Sequence, residues 1–180
     1  MFMLLLSQMF RGLSTIKTTF FNEPHKERKL RESIKKFGQL GKASKITKQQ
    51  YEENPYPRWH LYSRRKSLKT FNDTLLAQKL NPKKFIKLSN SKKNILIAGC
   101  GTGMNIFKVA SAFPESKITC VDLSLSSLSY AKRKVQEARL KNISFYNGDI
   151  SQIMKIGGNY DYIECMGVLH HIENYLQVWQ

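Results

Sequence analysis

Ile95-Leu96-Ile97-Ala98-Gly99-Cys100-Gly101-Thr102-Gly103 joins an unbroken apolar run to glycines at every second position. Apolar residues without alternation mark a strand covered on both faces. The glycines let the backbone approach a ligand closely and leave a helix N-terminus facing it. Downstream, Ile106, Phe107, Ala110 and Phe113 fall on one helical face, which Pro114 ends. Ile118-Thr119-Cys120-Val121 is a second apolar run, closed by Asp122. Ser124 can cap a helix whose buried stripe is Leu125, Leu128, Ala131, Val135 and Ala138. Ile143 to Tyr146 predicts a third strand, followed by Gly148-Asp149 and a short helix, and Tyr160 to Met166 a fourth. Such alternation requires a parallel sheet with right-handed crossovers, hence an α/β fold.

In such a sheet ligands bind at the carboxyl ends of the strands. The glycine loop, Asp122 and Asp149 all converge there. Asp122 follows the loop by about 20 residues, the spacing at which an acid reaches both hydroxyls of a ribose. A dinucleotide loop reads G-x-G-x-x-G, and here Met104 stands where its last glycine belongs. The loop reads G-x-G-x-G instead, which disfavours a dinucleotide oxidoreductase.

Four motifs, in order between roughly Lys92 and Gln180, resemble those of the class I S-adenosylmethionine-dependent methyltransferases. They are Ile95–Gly103, Thr119–Ser124 around Asp122, Asn147–Ile150 around Asp149, and Tyr160–Ile172. The resemblance implies a Rossmann-like sheet and S-adenosyl-L-methionine as cofactor. It implies that Gly99, Cys100, Gly101, Thr102 and Gly103 line the methionine and ribose part, and that Asp122 holds the ribose hydroxyls. Leu123 is implied beside the adenine, with Asp149 facing its amino group and Ile150 flanking it. His170 and His171, at the end of the fourth strand, are the candidate general bases, with packing or cofactor contact as the alternative. The fourth-strand motif lacks the Pro-Pro-aromatic type of many methyltransferases acting on nucleic-acid bases or glutamine. The acceptor is therefore expected to be a small molecule or a protein.

Gln50-Tyr51-Glu52-Glu53-Asn54-Pro55-Tyr56-Pro57-Arg58-Trp59, with the glycine loop and Gly167-Val168-Leu169-His170-His171, is similar to bacterial methyltransferase-domain proteins. Many of those carry tetratricopeptide repeats elsewhere, so such repeats are an expected partner region of a longer chain. The basic stretch Glu23–Ile34 has counterparts there too. Two prolines stiffen the arm and limit the entropy lost on docking. Tyr51, Tyr56, Arg58 and Trp59 then have two readings: a lid over the ligand, or a rigid arm whose rings pad the core.

The chain has 180 residues and a net charge of +17. Residues 1–94 hold 22 basic and 6 acidic side chains, against 8 and 7 in residues 95–180. A basic, mainly helical extension (1–94) thus precedes the cofactor-binding domain (95–180). Its charge suits nucleic acid or solvated helix faces equally, and no nucleic-acid motif accompanies it. Helices are expected over 26–37, 48–53 (ended by Asn54-Pro55) and 65–80 (ended by Asn81-Pro82), with a polar loop at 87–94. Residues 1–21 lack acids and place Phe2, Leu5, Leu6, Met9, Leu13 and Ile16 on one face, as in a targeting peptide or an interior helix. No apolar run approaches the roughly 18 residues of a membrane span. Cys100, Cys120 and Cys165 are far apart in sequence with no C-x-x-C, so neither a disulfide framework nor a metal site is expected, and reduced thiols fit the cytoplasm. Only four strands can be counted where class I methyltransferases have seven, which reads as a fragment with strand four at the sheet edge. Three functions follow as expectations: methyl transfer, a catalytically silent adenosyl-binding module, and RNA binding through the basic half.

Overall fold

The computed structural model describes residues 12–59, 79, 92–172 and 174–179. Residues 12–17 are helical and continue through a wide turn at Thr18–Asn22 into α1 (Glu23–Glu32). A two-residue strand β1 (Lys35–Lys36) and helix α2 (Lys42–Glu53) complete the described front. The back half runs β2 (Asn94–Ala98), α3 (Met104–Ala112), β3 (Lys117–Asp122), α4 (Leu125–Glu137) and β4 (Ile143–Asn147). A 3-10 helix (Ile150–Ile156), β5 (Tyr162–Cys165), a second 3-10 turn (Leu169–His171) and α5 (Tyr175–Trp179) follow.

The sheet has the order β1-β4-β3-β2-β5, all parallel. Ile95 and Ile97 face one side with Ile118 and Cys120, while Leu96 and Ala98 face the other with Val121. Both faces are covered, which is why these strands are unbroken apolar runs. The sheet is Rossmann-like, as expected.

The front half departs from expectation in three places. The helix expected over 26–37 ends at Glu32, because Ser33 turns back onto Leu30 and the chain then enters the sheet. Ile34 is buried in one core and Phe37 packs against the other, and the Phe37 N–H donates to the Asn147 carbonyl at 3.0 Å. The extension therefore supplies a fifth strand that its lysines conceal. The helix expected from Lys48 begins six residues earlier, at Lys42, and ends at Glu53 before Pro55 as anticipated. The fourth strand is shorter than read, Tyr162–Cys165. Residues 1–11, the expected helix at 65–80 apart from residue 79, its Asn81-Pro82 stop and most of the 87–94 loop lie outside the described residues.

α1 is fastened to α4 by charge. Arg133 is 2% exposed and meets Glu27 at 3.0 Å, Glu23 at 3.1 Å and Glu137 at 2.7 Å. Arg58 joins the group through Glu27 at 3.1 Å. Burial works against the Arg133 charge, but hydrogen bonding and charge from Glu137, Glu27 and Glu23 outweigh it and raise its pKa. Glu23 and Glu27 thus turn inward while Lys26, Arg28 and Lys29 stay exposed. Among the described residues, no helix is long and apolar enough to cross a membrane.

Candidate functional site

A cavity of about 330 Å³ opens at the carboxyl ends of β2, β3 and β4. Gly99, Cys100, Gly101, Thr102, Gly103, Asp122, Leu123, Asp149 and Ile150 all line it. The loop is shaped by its glycines. Gly99 has φ +76°, and a Cβ there would fall 2.1 Å from the Val168 side chain. Gly101 has φ +52° and open space where a Cβ would stand. The Gly99 and Cys100 N–H groups donate to the Val121 carbonyl at 2.8 and 3.0 Å, stitching the loop to β3.

Asp122 is held from several directions. One carboxylate oxygen accepts from the Gly101 N–H at 2.7 Å, and the other from the Ser124 N–H at 2.9 Å. Asn147, at the end of β4, donates its amide to the Asp122 and Leu123 carbonyls at 3.0 and 2.8 Å. Burial raises the Asp122 pKa above the ordinary aspartate value, the Ser124 and Gly101 N–H groups oppose that, and the Glu52 charge adds to it. Asp149 accepts from the Ser151 N–H at 2.9 Å and from the Ser44 hydroxyl. The Cys100 thiol is pushed well up by its hydrogen bond with Cys120, by burial and by the charges of Cys120 and Asp122, so it stays protonated and is no nucleophile.

The candidate bases separate. His171 lines the cavity and His170 does not, although their rings lie 4.0 Å apart. His171 meets the Tyr51 ring edge-on at 6.1 Å. Desolvation, then the charge of His170, pushes His171 below the ordinary histidine value, so it is neutral at pH 7.

The arm residues separate too. Tyr51 and Tyr56 line the cavity, but Arg58 and Trp59 do not. Trp59 is buried under the glycine loop, edge-on to Phe107 and Tyr130, and its indole N–H donates to the Thr102 carbonyl at 3.1 Å. The Thr102 hydroxyl donates to the Pro57 carbonyl at 2.6 Å, and Tyr130 donates to the Trp59 carbonyl. Arg58 turns to Glu27 and lies over the Tyr130 ring. Tyr51 and Tyr56 of the arm thus face the ligand space, while its Arg-Trp end is a prop.

Sequence reading missed Ser44 and Thr47, which line the cavity with Tyr51. Their spacing places all three on one face of α2, a pattern visible only once the helix is known to start at Lys42. It also missed Met166 and Val168, which form a wall just ahead of the two histidines.

The residues present suit an adenosyl group: a carboxylate for paired hydroxyls, an open cradle at Gly101, and apolar walls at Leu123 and Ile150. Residues 95–179 match the family described as a methyltransferase domain. Residues 95–179 carry a methyltransferase domain. Members of this methyltransferase family use S-adenosyl-L-methionine. An uncharacterized protein of Rickettsia prowazekii is 32% identical over 136 residues, 74% of this chain and 50% of that protein. One from Synechococcus is 34% identical over 84 residues, 46% of this chain and 20% of that protein. The chain therefore spans half or less of the length of these relatives. The magnesium protoporphyrin IX methyltransferase of Synechocystis, solved with S-adenosylmethionine bound, shares the methyltransferase fold. It superposes with a TM-score of 0.51 at 18% identity, over 79% of this chain and 71% of that one.

Proposed function

We propose that the protein transfers a methyl group from S-adenosyl-L-methionine to a small molecule or a protein. The observation that carries this reading is the meeting of the glycine loop, Asp122 and Asp149 in one cavity. When bound, the cofactor supplies a methyl group on a sulfonium, ready for in-line displacement. Asp122 would accept the ribose hydroxyls, and Asp149 the adenine amino group between Leu123 and Ile150. The loop glycines would let the backbone lie close to the methionine part. A displacement of this kind rests chiefly on positioning, and Tyr51, Tyr56 and Met166 are the side chains that would orient the acceptor. Where the acceptor must lose a proton, the neutral His171 imidazole would take it. Cavity-lining Lys or Arg is absent among the described residues, which favours an acceptor that is not a polyanion.

The test is a thermal melt with S-adenosylhomocysteine, followed by transfer of labelled methyl into size-fractionated cell extract. Ligand at one hundred times its dissociation constant should add about 2.7 kcal/mol to the folded state. A cooperative melt that does not move would refute the cofactor site. A shifted melt without transfer would favour a silent adenosyl-binding module, and label recovered in RNA would refute the acceptor class.

A further inference from the structure

We propose that Glu52 is a positioning residue for the adenosyl site: from α2 it holds the Ser124–Ser126 turn and thereby sets the orientation of Asp122. This rests on the cofactor reading above. The Glu52 carboxylate accepts from the Ser126 N–H at 3.0 Å, the Ser126 hydroxyl at 2.9 Å and the Ser124 hydroxyl at 3.2 Å. Arg31 approaches it at 3.5 Å and also donates to the Ser126 hydroxyl. A carboxylate thus sits at the N-terminus of α4, where backbone N–H groups and the helix dipole both favour negative charge.

Ser124 is the hinge of the arrangement. Its N–H holds Asp122 at 2.9 Å, while its hydroxyl oxygen caps α4 by accepting from the Ser127 N–H at 3.0 Å. The same hydroxyl reaches back to the arm, to Glu52 and to the Tyr51 carbonyl at 2.9 Å. The residue next to Glu52, Tyr51, lines the cavity and touches His171. One acid therefore connects the wall carrying Tyr51 to the turn carrying Asp122 and Leu123.

The link is also electrostatic. The Glu52 charge disfavours ionisation of Asp122. Glu52 itself is held below the ordinary glutamate value: burial opposes its charge, but the Ser126 hydrogen bonds, Arg31 and Ser124 prevail. Other titratable groups that line the cavity with Asp122 are Cys100 on the glycine loop, Tyr51 and Tyr56 on the arm, and Asp149 and His171.

The experiment compares the full chain with Glu52→Gln and Glu52→Ala by calorimetry with S-adenosylhomocysteine, between about pH 4 and 8. In parallel, the Asp122 carboxyl carbon is followed by NMR in the ligand-free proteins. Glutamine keeps an acceptor for Ser126 and removes the charge. It should hold near-wild-type affinity at neutral pH while moving both the acid-side fall in affinity and the Asp122 midpoint to lower pH. Alanine should weaken binding at neutral pH by about tenfold, the loss of one charge-assisted hydrogen-bond set. Wild-type affinity in Glu52→Ala, with an unmoved Asp122 midpoint in Glu52→Gln, would overturn the proposal. If the wild type binds no S-adenosylhomocysteine, the cofactor reading fails. The ligand-free titration then still decides whether Glu52 governs Asp122. Should Glu52→Ala not fold, Glu52→Gln carries the test through the same midpoint.

Discussion

The proposed ribose role needs Asp122 ionised in a place that resists ionisation. Ribose hydroxyls donate to a carboxylate, yet burial and Glu52 raise its pKa. Affinity for S-adenosylhomocysteine should fall as pH drops through that raised value, above the usual aspartate value of about 3.9. The stability sign is opposite. A folded pKa above the unfolded one means the native state binds protons more readily, so this group's contribution to stability declines as pH rises through the same window. Calorimetry and chemical denaturation over acid pH separate the two. Asp122→Ala should weaken ligand binding by about 1–3 kcal/mol, and unchanged affinity would remove it from the ribose role. His171→Ala should leave that affinity intact and cut transfer by about a hundredfold or more, if the acceptor needs a base. His170→Ala should cut it far less, since only His171 borders the cavity. The acids and glycines were legible because their chemistry demands fixed spacings from strand ends. The division between the two histidines was not, because adjacent residues differ only in where a 3-10 turn points them.

At the scale of elements, the arm is a brace shared by two loops. Its Trp59 end supports the glycine loop through Thr102, and its Glu52 end the turn after β3. Trp59→Ala should destabilise the fold by about 3–5 kcal/mol, the usual cost of emptying a buried aromatic site, and lower ligand affinity as well. A melt that falls without any loss of affinity would sever the brace from the site. Glu27→Ala leaves Arg133 buried with fewer partners and should cost about 3 kcal/mol by denaturant titration. A loss under about 1 kcal/mol would show that Glu23 and Glu137 suffice for Arg133. The strands β2, β3 and β4 were readable because burial on both faces leaves no room for polar alternation. β1 was not, since Lys35 and Lys36 carry no apolar signal and the pairing is set by the flanking Ile34 and Phe37. The start of α2 was hidden for a related reason: Gly41 caps it with no side-chain hydrogen bond, so no capping signature precedes Lys42.

At the scale of the molecule, β5 pairs only with β2 among the described strands. It presents Ile163 at 57% and, just beyond, Met166 at 59% exposure. An open apolar edge invites pairing with another chain. Self-association rising with concentration is therefore expected in sedimentation, and Ile163→Lys should suppress it. Equal association of both proteins would place the contact elsewhere. The pairing of Lys35–Lys36 with Tyr146–Asn147 has a further consequence, in time. Lys35 and Lys36 leave the ribosome more than one hundred residues before the strand they join, a delay of roughly 5–20 seconds at the usual rate of synthesis. Throughout that interval the Phe37 N–H has no Asn147 carbonyl to meet. β1 is therefore made before every other described strand yet can be seated only after β4, and until then it hangs free of the sheet.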